Sequence, residues 1–112
     1  MAISENLVRA VLPTTLTTLH TVFGPAATRE MIRYITINNR SEEEYLRWWF
    51  YIVPSGGTAD SSNSLVSGEK QKRVPPGKNG DYNTWKVLHP GDTIQAYCDG
   101  HATIFVDGAR RV

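Results

Sequence analysis

The chain has 112 residues, a formal net charge of +1, 40% hydrophobic and 21% charged residues. That composition describes one ordinary globular domain, long enough to bury a core without staples. The small net charge excludes the basic excess of a general nucleic-acid binder. No stretch approaches the ~18 apolar residues of a membrane helix, and the single cysteine, Cys98, excludes an internal disulfide.

Residues 1–13 are expected as an N-terminal arm ahead of a domain spanning 14–112. Leu7, Val8, Val11 and Leu12 have a weak helical spacing that Pro13 would end. These apolar residues, with Ile3, need cover, either on the chain's own core or on a neighbouring subunit. The first residues lack the basic and apolar regions of a secretory signal, so synthesis and folding in a cytoplasm are expected.

Thr14 to Phe23, rich in threonine, reads as a strand closed by Gly24-Pro25. Glu30 to Asn38 reads as the next. Met31, Ile35 and Ile37 fall on one face with Arg33 interrupting, and Ile32, Tyr34 and Thr36 fall on the other. Asn38 to Ser41 is turn chemistry, followed by the acidic corner Glu42 to Glu44.

Tyr45 to Val53 is apolar or aromatic on both sides. Leu46, Trp48, Phe50 and Ile52 alternate with Tyr45, Arg47, Trp49, Tyr51 and Val53. A strand with one face in water should alternate apolar with polar. The second face therefore requires cover, from a long loop or from another subunit. The stretch 55–80 supplies such a loop, rich in Gly, Ser and Asn, with Leu65-Val66 as a short strand within it. Lys70, Lys72, Arg73 and Lys78 make it locally basic, either as a solubilising tip or as a clamp on an acidic partner.

Tyr82 to Leu88 is expected as a strand with Trp85 and Val87 on one side, turned at Pro90-Gly91-Asp92. In Thr93 to Cys98, Ile94, Ala96 and Cys98 alternate with Thr93, Gln95 and Tyr97. Asp99-Gly100 reads as a two-residue hairpin turn leading into Ala102 to Val106. Asp107-Gly108 reads as a further turn and 109–112 as a basic tail. The sum is an all-β fold, a single β-sandwich or jelly-roll-like barrel of about seven to eight antiparallel strands.

Catalytic and metal chemistry find little support. No serine sits in a nucleophile elbow. Cys98 and His101 could supply two metal ligands with Asp99 nearby, but a structural zinc site takes four, and Cys98 reads better as a small core residue. The acids sit in turns, where they act as caps. No cofactor is expected, and the chain reads as a non-enzyme. Exposed aromatics on a β-sandwich also allow a carbohydrate-binding module.

Four segments, in order, are similar to a family of small phage structural proteins. Thr18 to Pro25 resembles that family's opening strand, and Arg29 to Ser41 its second, with an Asn before a polar turn. Leu88 to Tyr97, with Pro90-Gly91-Asp92, resembles its Pro-Gly-Asp hairpin, and Thr103 to Gly108 its last strand and turn. The likeness spans 14–108. It departs at Trp48-Trp49 and in the basic stretch from Lys70 to Lys78. The resemblance implies a virion protein: a capsid cement or decoration protein, or else a tail, neck or head-fibre-base component. The implied partners are the major capsid protein and further copies of the chain, most plausibly in a trimer, with neither nucleic acid nor membrane. The expected contacts are Ile3, Leu7, Val8, Val11, Arg47, Trp49, Tyr51, Lys70, Lys72, Arg73 and Lys78.

Overall fold

Alternating β-branched and aromatic residues favour a pleated, half-buried backbone. In the computed structural model, which describes residues 2–68 and 73–111, they form strands throughout. The strands are β1 (Ala2–Leu12), β2 (Thr17–Thr21), β3 (Arg29–Asn39), β4 (Leu46–Val53), β5 (Ser64–Val66), β6 (Arg73–Val74), β7 (Asn79–Leu88), β8 (Thr93–Cys98) and β9 (Ala102–Arg111). One sheet has the order β1-β9-β3-β7. The other has β2-β8-β4-β5, with β6 pairing β4 beside β5. Every pairing is antiparallel.

Counting β5 and β6 as one interrupted strand leaves eight. First then pairs with last, second with seventh, third with sixth and fourth with fifth. That nested pairing is the jelly roll, two four-strand layers wrapped from one folded-over ribbon. The nesting explains two corrections. Asp99-Gly100 is a corner and not a hairpin, because β8 and β9 lie in different sheets. Pro90-Gly91-Asp92 likewise carries the chain from one sheet to the other. There Asp92 accepts from the His89 and Ser55 amides at 2.9 and 3.0 Å.

Residues 2–12 are neither helical nor a detached arm. They pair with β9 from Ala2↔Arg111 to Leu12↔Ala102 as an edge strand of the first sheet. Leu7, Val8 and Leu12 join the core. Asp107-Gly108 is not a turn, and Ala109 to Arg111 is no free tail, because all lie within β9.

The expected faces of β3 also change. A bulge between Ile32 and Tyr34 shifts the alternation by one residue, so Ile32 joins Ile35 and Ile37 in the core. Arg33 occupies the bulge and donates to the Gly108 carbonyl at 3.1 Å. A second bulge, at Leu19, shifts the phase of β2 between Thr18 and His20. Between the sheets, Phe50 is fully buried and meets Trp48 edge to face at 6.3 Å, the preferred arrangement of aromatic pairs.

Cys98 faces this core, its Sγ directed at the Leu12 and Gly100 carbonyls at 3.5 and 3.3 Å. Burial, chiefly, pushes its thiol pKa up, and the thiolate is the reactive form. Cys98 should therefore resist maleimide at pH 8 in the native protein and react promptly in urea. Equal rates in both states would show that the core is open there.

Candidate functional site

Three features of the folded chain bear on function: a buried ionic cluster, an exposed apolar edge and an aromatic cleft.

The ionic cluster ties the two sheets together at one end. Glu30 on β3 is fully buried. Its Oε1 lies 2.5 Å from His20 Nε2 on β2, and its Oε2 accepts from Arg110 Nη1 on β9 at 2.5 Å. Arg110 Nη2 also donates to the Phe23 carbonyl at 2.6 Å. All the partners are protein groups engaged with one another, so the cluster is a tie between sheets.

The exposed edge is β7, the last strand of the first sheet. Val87 pairs with Met31 on the outer face, and Lys86 pairs with Ile32 on the inner phase. Trp85 shares Val87's parity, so both project outward. Trp85 is 73% exposed and Val87 51%.

The cleft follows from the interrupted fifth strand. β5 pairs β4 at Phe50 and Tyr51, and β6 pairs it at Leu46 and Arg47. On that side of β4, opposite β8, no described strand pairs Trp48 and Trp49 between them. A cleft of about 510 Å³ opens there, lined by Trp49, Tyr51, Tyr82 and Tyr97 with Asp60, Ser61, Ser64 and Ser67. Trp49 and Tyr97 are directly paired across β4 and β8, and their rings stack at 4.6 Å and 5°. The Arg47 guanidinium lies 5.7 Å from the Trp49 ring centre, held there by Asp99 at 2.7 Å. Asp60 Oδ1 accepts from the Ser62 amide at 2.8 Å and from its hydroxyl. Those Ser62 bonds are the main cause of the Asp60 carboxyl titrating below its ordinary value.

The expected contact residues are therefore scattered. Leu7 and Val8 are buried in the chain's own core and are unavailable to a partner. Val11 stays exposed on the β1 edge. The Ile3 side chain, Lys70 and Lys72 lie outside the described residues. Arg73 and Lys78 are exposed. Trp49 and Tyr51 are half-buried, with Gly68 packed against Arg47 and Trp49 and β5 beside Tyr51, so the chain itself supplies part of the cover that β4 required. Cys98 points inward and His101 is exposed. Among the described residues no group of three or more His, Cys, Asp or Glu side chains gathers at one point.

The sequence reading missed Tyr82, Tyr97 and Asp60 as neighbours of Trp49. Tyr97's outward position was readable from the alternation in β8, but its pairing with β4 was not. Trp85 was placed on the correct face and not identified as a contact, because nothing local marks β7 as an edge.

The fold and these surfaces define a jelly-roll β-sandwich with an exposed aromatic edge and a separate aromatic cleft. No family model matches the chain, and no curated protein matches it. Among solved structures, a chain in the structure of the infectious bursal disease virus Gx strain is similar over 98% of this chain, at 12% identity and a TM-score of 0.47. This chain covers 30% of that one.

Proposed function

We propose that the chain is a non-enzymatic structural protein of a phage particle, a decoration protein that docks across capsomer junctions of the major capsid protein as a small homo-oligomer. The observation that carries this reading is the outward pair Trp85 and Val87 on the edge strand β7. Natural β proteins blunt or cover their sheet edges, and large apolar side chains left on an edge mark a surface meant for a partner. Tryptophan is also among the residues that most often dominate an interface energetically. The jelly roll supports the reading by analogy alone, since this architecture recurs in viral capsid domains among others. The ordered segments resembling small phage structural proteins supply the class of partner.

The mechanism is added contact. A clamp of standard interface size buries ~1,600 Å², and that surface must separate before a pressurised shell can open. Deleting the gene should leave particles that lose integrity on heating or chelation. Unchanged resistance would reject the cement role. Labelled chain at a single vertex would move the protein to the tail, neck or fibre base.

A point substitution tests the contact itself. Trp85→Ser should keep the folded-state stability, because the ring is in solvent, and should weaken binding to undecorated particles by roughly 30-fold or more, the loss of a hot-spot side chain. Wild-type affinity in this variant, measured by co-sedimentation, would remove β7 from the interface.

A further inference from the structure

The cleft at the interrupted edge of β4 is a binding site of its own, separate from the Trp85 face, and we infer that its ligand is a neutral saccharide. The inference does not depend on the docking role of β7.

The argument begins from the lining. Four aromatic residues, Trp49, Tyr51, Tyr82 and Tyr97, converge on one cleft from three strands and both sheets. Its volume, about 510 Å³, is within the range of small-molecule sites. The lining combines these aromatic side chains, with Leu65 and Val66, and the polar groups of Asp60, Ser61, Ser64 and Ser67. A sugar ring has this dual character, with apolar C–H faces to lay on an aromatic ring and hydroxyls around its equator to exchange hydrogen bonds. Ser64 is already bonded to the Val66 carbonyl and Asp60 to Ser62, but an apolar ligand would offer nothing to the Ser61 and Ser67 hydroxyls, which is costly once water is excluded.

Charge narrows the class further. Among the described residues the lining includes no Lys, Arg or His. Arg47, whose guanidinium lies 5.7 Å from the Trp49 ring centre, is committed to Asp99 through its Nε and its backbone amide. Among the described lining residues, a sulfated or carboxylated ligand would meet the negative charge of Asp60 and no positive one. The Asp60 carboxylate, oriented by the Ser62 amide and hydroxyl on Oδ1, can accept a further, charge-assisted bond from a ligand hydroxyl.

The geometry is also partly preorganised. Trp49 is fixed by its stack on Tyr97, by Arg47 and by close packing at Gly68, where an added Cβ would lie 2.9 Å from Trp49 Cζ2. A ring already held in place loses little freedom on binding, which favours a weak, specific ligand.

The test is an array of neutral oligosaccharides (glucose, galactose, mannose and N-acetylhexosamine series), followed by NMR titration of the whole chain with the best binder. Millimolar or tighter binding is expected, with the Trp49 indole N–H and Tyr97 signals shifting. Trp49→Ala should weaken it by roughly tenfold or more, and Asp60→Asn, which keeps the loop's size, by several-fold. Trp85→Ser should leave it unchanged, which separates this site from the docking face. The inference is overturned if no neutral oligosaccharide binds, if only acidic glycans or peptides bind, or if Asp60→Asn and Trp49→Phe both bind as the wild type does.

Discussion

Glu30→Ala is expected to cost about 3–5 kcal/mol of folding stability, the usual penalty for removing one member of a buried ion pair. Glu30 is fully buried, and both its oxygens are engaged, one by His20 and one by Arg110. Without it the Arg110 guanidinium, which stays charged at any ordinary pH, keeps only the Phe23 carbonyl at that end of the sandwich. The damage comes from the stranded charge more than from a lost attraction. The double variant Glu30→Leu with Arg110→Met should therefore recover much of the loss, since buried ion pairs often trade evenly against apolar packing. Asp99→Ala gives the contrast. Its pair with Arg47 is exposed, 48% and 31% at the two side chains, and its removal should cost less than about 1 kcal/mol. Urea unfolding of the variants reads all of these. A loss below about 1 kcal/mol in Glu30→Ala would mean that water reaches the cluster.

Gly108→Ala is expected to be of similar severity, at least about 3 kcal/mol or failure to fold, the upper end for overpacked sites. A Cβ there would fall 1.9 Å from the Met31 carbonyl oxygen and 3.0 Å from Leu7 Cδ1. The first obstacle is backbone, so no side-chain rotation relieves it. The glycine is required by the bulge, where Ile32 pairs with Gly108 and Tyr34 with Asp107 while Arg33 is left over. Close approach of β3 to β9 at this point is what turns Ile32 inward. Gly56 serves as the comparison. It has φ of 77° and nothing within 4 Å of an added Cβ, so Gly56→Ala should cost only about 1–2 kcal/mol of backbone strain. Thermal unfolding that ranks Gly56→Ala below Gly108→Ala would contradict the bulge argument.

These two sites also show where sequence reasoning stops. Period-two alternation located β8 and its buried residues Ile94, Ala96 and Cys98, because that strand keeps one phase from end to end. It misassigned Ile32 because alternation assumes an unbroken register, and a bulge is set by what the partner strands do. It read Asp99-Gly100 as a hairpin because that dipeptide's local chemistry is the same at a corner between sheets. It read residues 7–12 as weakly helical because Leu7, Val8 and Leu12 are compatible with both periods over so short a run. The two-sided pattern of Tyr45 to Val53 did identify the strand beside the cleft. Its cover turned out to be partly the chain's own 55–68 segment, and the cleft's remaining rings arrive from β7 and β8, which only the nested pairing brings near. The Glu30 cluster was illegible for the same reason, since His20, Glu30 and Arg110 meet only once the sheets are stacked.

The central physical claim is that the outer face of β7 is finished by a neighbour. Hydroxyl-radical footprinting of Trp85, in the isolated chain and in purified particles of the phage proposed to carry it, tests this directly. The account predicts rapid oxidation of Trp85 in the isolated chain and strong protection in the particle, with Trp48 protected in both. Equal reactivity of Trp85 in the two samples, or particles that contain no copy of the chain, would contradict it.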